Sequence, residues 1–162
     1  SMLSEGRPNR GCVTGANELG HTRFFADTEK CFCGHTGCLE RIVSSAYLNK
    51  LSDTTDKDLL TEAGRYMPGQ DPAVDTIVQY LVTGLSNAVN FVRPHRLVLS
   101  GNLMQQDAFA THVTAQLREQ IFAPIAQRLN VECWNQPNAN AAESAGWLAL
   151  ADLVDGVWTA GA

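Results

Sequence analysis

The stretch Cys31-Phe32-Cys33-Gly34-His35-Thr36-Gly37-Cys38 restricts this chain more than any other segment does. It gathers three of the five cysteines into eight residues and leaves Cys12 and Cys133 apart. A disulfide framework is normally even in number and spread along the chain. Cys31 and Cys33 are moreover too close for a comfortable disulfide with each other. Clustered thiols beside histidines point to a metal, and Cys3His is a standard tetrahedral zinc set. Gly34 and Gly37 let the backbone fold tightly enough to bring Cys38 back to the ion. At this level the fourth ligand stays open between His21, upstream of the loop, and His35, inside it. The opposing reading makes the cysteines ordinary buried thiols, which their interleaving with glycines argues against.

At 162 residues the chain is long enough for one domain with a real core. Its 44% hydrophobic and 18% charged content is that of a globular protein. No apolar run approaches the roughly 20 residues that span a bilayer, and no basic-then-apolar signal opens the chain. Clustered thiols without a secretion signal predict a reducing compartment, the cytoplasm. The formal net charge of −5 disfavours direct nucleic-acid contact, which depends on Lys and Arg at phosphates. A neutral polyhydroxylated ligand suits this balance, although mild acidity also serves solubility alone.

The first twenty residues are rich in turn formers, with a short strand over 3–10. A strand is expected over 21–27, where Phe24 and Phe25 suit a half-buried pleated surface. Apolar spacing predicts a helix over 38–49 and a shorter one over 55–66 with Asp56 as its cap. The strongest pattern predicts a helix over 71–91, with Asp71 as N-cap, Pro72 at the first helical position and a continuous apolar stripe. Arg96 to Ser100 reads as a buried strand closed by Gly101 and Asn102. A helix over 105–122 breaks near Pro124 and resumes to Leu129, a strand follows over 131–134, and an Ala-rich helix covers 139–154, where Gly146 marks close packing. The tail after Asp155 is expected to fray. Alternating helices and strands indicate an α/β layer with crossover connections.

Glu18-Leu19-Gly20-His21, followed by Cys31-Phe32-Cys33-Gly34-His35-Thr36-Gly37-Cys38-Leu39-Glu40, resembles the E-x-G-H and C-x-C-G-x-x-G-C-x-E elements of the ROK family (repressors, open reading frames, kinases). The later LVLSG and ANAAESAGWLAL segments fit it as well, so the resemblance covers nearly the whole chain. It implies the C-terminal half of an actin-like ATPase (ribonuclease H-like) sugar-kinase fold, with a zinc loop and a helical insert. Residues 1–162 would form one domain, with the zinc loop at about 21–40, a helical region at about 38–92 and an α/β part at about 95–155.

The resemblance also selects His21 over His35 as the zinc ligand beside Cys31, Cys33 and Cys38. Zinc is then structural, because four protein ligands leave no open position for substrate. Glu18, His21 and Glu40 carry over as sugar contacts. A zinc-bound imidazole presents its other N–H to an oxygen, and carboxylates accept from pairs of hydroxyls. Taken singly, Glu18 reads as a solvated turn residue and Glu40 as a solvated first-turn position. The family's phosphate loop and catalytic Asp lie upstream of E-x-G-H, outside this sequence, so no catalytic residue is expected in the chain. Kinases carry a glycine run where this chain has Ser100-Gly101-Asn102. Phe32 between two cysteines resembles the family's sugar-responsive repressors. The expected partners are a sugar or sugar phosphate, the N-terminal half of the parent and further copies of the chain. Neither nucleic acid nor membrane is expected to contact it directly. The alternatives are the C-terminal half of a sugar kinase and a zinc-stabilised interaction module without a ligand.

Overall fold

The computed structural model describes residues 2–4, 7–8, 17–24 and 28–134. Its elements are β1 (Leu3–Ser4), β2 (Arg7–Pro8), a 3-10 turn at Leu19–His21, α1 (Leu39–Ile42), α2 (Ser45–Ser52), α3 (Leu59–Gly64), α4 (Pro72–Val92), β3 (Arg96–Ser100), a 3-10 turn at Asn102–Gln105, α5 (Asp107–Gln120), α6 (Ala123–Ala126) and β4 (Asn130–Trp134). Cys12, Phe25, Gly146, the predicted helix over 139–154 and the tail beyond it lie outside the described residues.

α4 forms where its caps and apolar stripe place it. One carboxylate oxygen of Asp71 accepts from the backbone N–H groups of Ala73 and Val74 at 2.9 and 3.3 Å. That satisfies donors a helix start leaves without partners. Arg93, at φ 53°, closes the helix in the left-handed conformation just before Pro94. Val74, Ile77, Val78, Val82 and Val89 are buried along one side. Each contributes about 1.5–3 kcal/mol on leaving water. Against this stripe pack α1, α2 and α5, which add Ile42, Leu48, Phe109, Val113 and Leu117 to the core.

β3 and β4 pair in parallel, with Leu97 beside Val131 and Leu99 beside Cys133. The second 3-10 turn, α5 and α6 carry the chain between them, the crossover that parallel neighbours require. Leu97, Leu99, Val131 and Cys133 join the core, while Arg96 and Glu132 pair on the opposite face.

Several boundaries differ from the sequence expectation. The helix predicted over 38–49 is two helices, because extended Ser44 caps α2 by accepting from the Tyr47 N–H at 3.2 Å. A serine that can cap breaks a helix even where the apolar period runs on. The cap of α3 is Asp58, not Asp56: its carboxylate accepts from the Thr61 N–H at 2.9 Å. Asp56 instead sits in a loop pinned by Asn49, which accepts from the Lys57 N–H and donates to the Lys57 carbonyl. The single strand expected over 3–10 is a hairpin pairing β1 with β2 antiparallel. In place of a strand starting at His21, that residue closes a 3-10 turn and Arg23 forms an isolated bridge with Cys38. The helix expected to start at residue 105 starts at Asp107, after the second 3-10 turn.

Candidate metal centre

Two short segments build the site. The 3-10 turn puts His21 at its end, with the His21 N–H donating to the Glu18 carbonyl at 3.1 Å. The segment after it lies along the end of the cysteine loop. There Phe24 N–H donates to the Gly37 carbonyl at 2.7 Å and Leu39 N–H to the Thr22 carbonyl at 2.9 Å. Within the loop, the Cys31 N–H donates to the His35 carbonyl and the Gly34 N–H to the Cys31 carbonyl. Gly34 and Gly37 take φ values of 89° and 75°, conformations that side chains resist. The loop therefore doubles back and returns Cys38 beside Cys33.

The ligand atoms of His21, Cys31, Cys33 and Cys38 all lie within 4.8 Å of one another. Cys33 Sγ and Cys38 Sγ are 3.6 Å apart, and Cys31 Sγ is 3.7 Å from His21 Nδ1. Zinc–sulfur bonds of about 2.3 Å at tetrahedral angles set sulfurs about 3.8 Å apart, and a zinc–nitrogen bond shortens the mixed edge to about 3.6 Å. Both distances fit a tetrahedron around one ion and exceed the roughly 2.05 Å of a disulfide. The residues present thus fit a soft or borderline divalent metal. His35 lies near, with Nδ1 3.8 Å from Cys33 Sγ, but the mutually close set contains His21 and not His35.

The electrostatics agree with that arrangement. Hydrogen bonds from the backbone and ring of His35 hold the Cys33 thiol down to about 6. Burial, with the neighbouring sulfurs alongside, pushes the Cys38 thiol up to about 11. The Cys33 thiolate forms readily, and Cys38 resists ionising so close to it. A bound cation reverses this, because a coordinating thiol loses its proton outright.

Glu40, in the first turn of α1, places Oε2 3.5 Å from His21 Nδ1. Glu18 is exposed at the start of the 3-10 turn, three residues before His21. Phe32 packs edge-on against His21, with ring centroids 4.9 Å apart at 72°. Two glycines outside the cysteine loop also shape the site. A Cβ on Gly20 would meet Glu40 Cβ at 3.3 Å, and one on Gly84 of α4 would meet Leu39 Cδ2 at 2.7 Å. Motif spacing includes Gly20, but no local signal marks Gly84, whose partner is far away in sequence.

A mixed α/β unit with a four-donor cluster that could hold a metal ion, at the foot of a short helix, is the class defined by fold and site. The chain belongs to the ROK family: the model described as ROK family matches residues 1–155. The N-acetyl-D-glucosamine kinase of Pectobacterium carotovorum subsp. carotovorum (strain PC1) is 28% identical over 167 residues, covering 93% of this chain and 55% of that protein. The DNA-binding transcriptional dual regulator NagC of Escherichia coli (strain K12) is 24% identical over 121 residues, covering 65% of this chain and 30% of that protein. Among solved structures, a ROK hexokinase from Thermus thermophilus superposes with a TM-score of 0.61 at 21% identity, over 82% of this chain and 47% of that one. A ROK family transcriptional regulator, a homolog of E. coli MLC protein, gives 0.59 at 22% identity, over 81% and 38%. The chain shares the fold of these ROK proteins and spans about half the length of the curated kinases it matches. No helix among the described residues is long and apolar enough to cross a membrane.

Proposed function

We propose that the chain is the sugar-sensing, zinc-containing C-terminal portion of a ROK-type transcriptional regulator whose DNA-binding half lies elsewhere. The observation that carries this is the double placement of His21. Its Nδ1 sits among the thiols and, at the same time, 3.5 Å from the Glu40 carboxylate. With Nδ1 on the metal, the proton stays on Nε2, where it can donate to a sugar oxygen. Glu18 and Glu40 accept from sugar hydroxyls and read their stereochemistry. Zinc fixes the imidazole and the loop and takes no part in chemistry. The regulator reading draws on Ser100-Gly101-Asn102, a single glycine where a nucleotide would need close backbone approach. It also draws on the regulators among the relatives, which include an N-acetylglucosamine repressor and a xylose repressor.

A second reading, the C-terminal half of a ROK sugar kinase, is favoured by the broader match to an N-acetyl-D-glucosamine kinase, 93% of the chain against 65% for the regulator NagC. Elemental analysis of protein purified without a metal-affinity step tests the shared core of both. About one zinc per chain is expected, with little in Cys38→Ser, and well-folded protein without zinc would sink both readings. Calorimetric titration with N-acetylglucosamine, glucose and xylose then separates a sugar binder from an interaction module. The module would give no heat with any sugar and would still lose stability on chelation. Sugar-dependent ATP turnover by the full-length protein would decide for the kinase, and sugar-released DNA binding for the regulator.

A further inference from the structure

We infer that Phe32 is the stacking platform of the sugar site, the residue that covers the apolar C–H face of a bound pyranose and selects for it. This rests on the sugar-binding reading above. Glu18, His21 and Glu40 are assigned to the sugar through their polar atoms, yet a pyranose also presents a patch of C–H groups that water solvates poorly. A site without an apolar wall would leave that patch in solvent and bind through hydroxyls alone. Phe32 is the aromatic ring in contact with His21, at 4.9 Å between centroids. An edge-to-face contact occupies at most one face of the phenyl ring, and the residue is 81% exposed, so an open face remains. Its two neighbours in sequence, Cys31 and Cys33, are both in the metal cluster. A metal held by that cluster would orient the imidazole and also fix the backbone on either side of the platform. Large exposed aromatics favour such sites, where an apolar body meets a ligand beside polar groups.

The full-length protein is titrated calorimetrically with N-acetylglucosamine, glucose and xylose, and the tightest sugar is carried into Phe32→Ala and Phe32→Trp. Phe32→Ala is expected to bind about 5- to 10-fold more weakly, with zinc content and melting temperature unchanged. Phe32→Trp is expected to hold its affinity, and its added emission should shift on sugar addition. Unaltered affinity in Phe32→Ala, or a tryptophan at position 32 blind to sugar, overturns the inference and leaves the sugar-binding reading standing. Affinity that falls only in step with zinc loss marks a loop-building role and also overturns it. If the parent protein binds none of the three sugars, the sugar-binding reading fails first and this inference goes with it.

Discussion

His21 stands where two demands meet on one ring. Its Nδ1 lies 3.7 Å from Cys31 Sγ and 3.5 Å from Glu40 Oε2, so changing the imidazole touches both the donor cluster and the carboxylate. His21→Ala is therefore expected to lower zinc occupancy sharply. His35→Ala should leave it near one per chain, because His35 falls outside the mutually close donor set. Equal zinc loss in the two variants would place the fourth ligand wrongly. Gly20 separates the demands. A Cβ there would press on Glu40 Cβ at 3.3 Å and lie 3.6 Å from its carboxylate. Gly20→Ala should thus displace Glu40 by a few tenths of an ångström, weaken sugar binding several-fold, about 1 kcal/mol, and keep the zinc. Calorimetry paired with metal analysis reads both, and an unchanged sugar affinity would remove Glu40 from the site. At this scale the sequence says a great deal. Thiols, histidines and glycines announce a metal by type and spacing, and the structure brings the predicted four donors together. The closeness of Glu40 to His21 Nδ1 emerges only once Leu39 is tied to Thr22 and α1 begins.

Among the elements, α4 is the one whose limits the sequence states most fully, because a cap, a proline and a stripe agree. The break between α1 and α2 is hidden, since Leu39, Ile42 and Val43 continue a helical period into Ser44. Gly84 is hidden for another reason: in the stripe it looks like a mild defect, yet Leu39 and Phe24 occupy the space its side chain would need. Gly84→Ala gains helix propensity of about 1 kcal/mol, but forces the end of Leu39 aside at a cost of about 1–3 kcal/mol. A net loss of about 1 kcal/mol is expected, with faster zinc release because Leu39 adjoins Cys38. Melting curves and chelator-competition rates check it, and a stabilised variant with normal zinc release would show that Leu39 yields freely. The other end of α4 carries a pH signature. The Lys57 ammonium, 2.9 Å away, is the largest influence holding the Asp71 carboxyl below its ordinary range. A depressed carboxyl contributes stability above its unfolded value, about pH 4, and loses it as pH falls through the folded value. Asp71→Ala should cost about 1 kcal/mol near neutrality, with the gap from the parent closing toward acid. A gap that stays constant with pH would mean the carboxylate's charge is irrelevant to the cap.

Over the whole molecule, cohesion is unequally shared. The apolar core runs from Ile42 through α4 and α5 to Leu129, with Phe109, Ile77, Leu48 and Leu117 fully buried. Among the described residues from Leu19 to Cys38, Phe24 packs partly buried against that core, and Cys31 and Cys38 are buried outside its cluster. A few backbone hydrogen bonds and the isolated bridges Arg23–Cys38 and Lys30–Thr36 hold this segment otherwise. Sequence periodicity registers the first region because its cohesion is apolar, and it says little of the second, whose donor geometry suits a metal rather than an apolar core. A metal is therefore worth most to the loop and least to the helices. Hydrogen exchange followed by mass spectrometry, with and without a strong chelator, should show this division. Amides of Cys31, Gly34 and Leu39 are expected to lose protection on chelation, since their bonds lie inside the loop or between it and the His21 segment. Amides in the middle of α4 and α5 should keep theirs, because Val74, Val82, Val113 and Leu117 are buried in the apolar core. Uniform loss across both regions would mean that the metal supports the entire fold. No change anywhere would mean that the thiols hold their places without an ion.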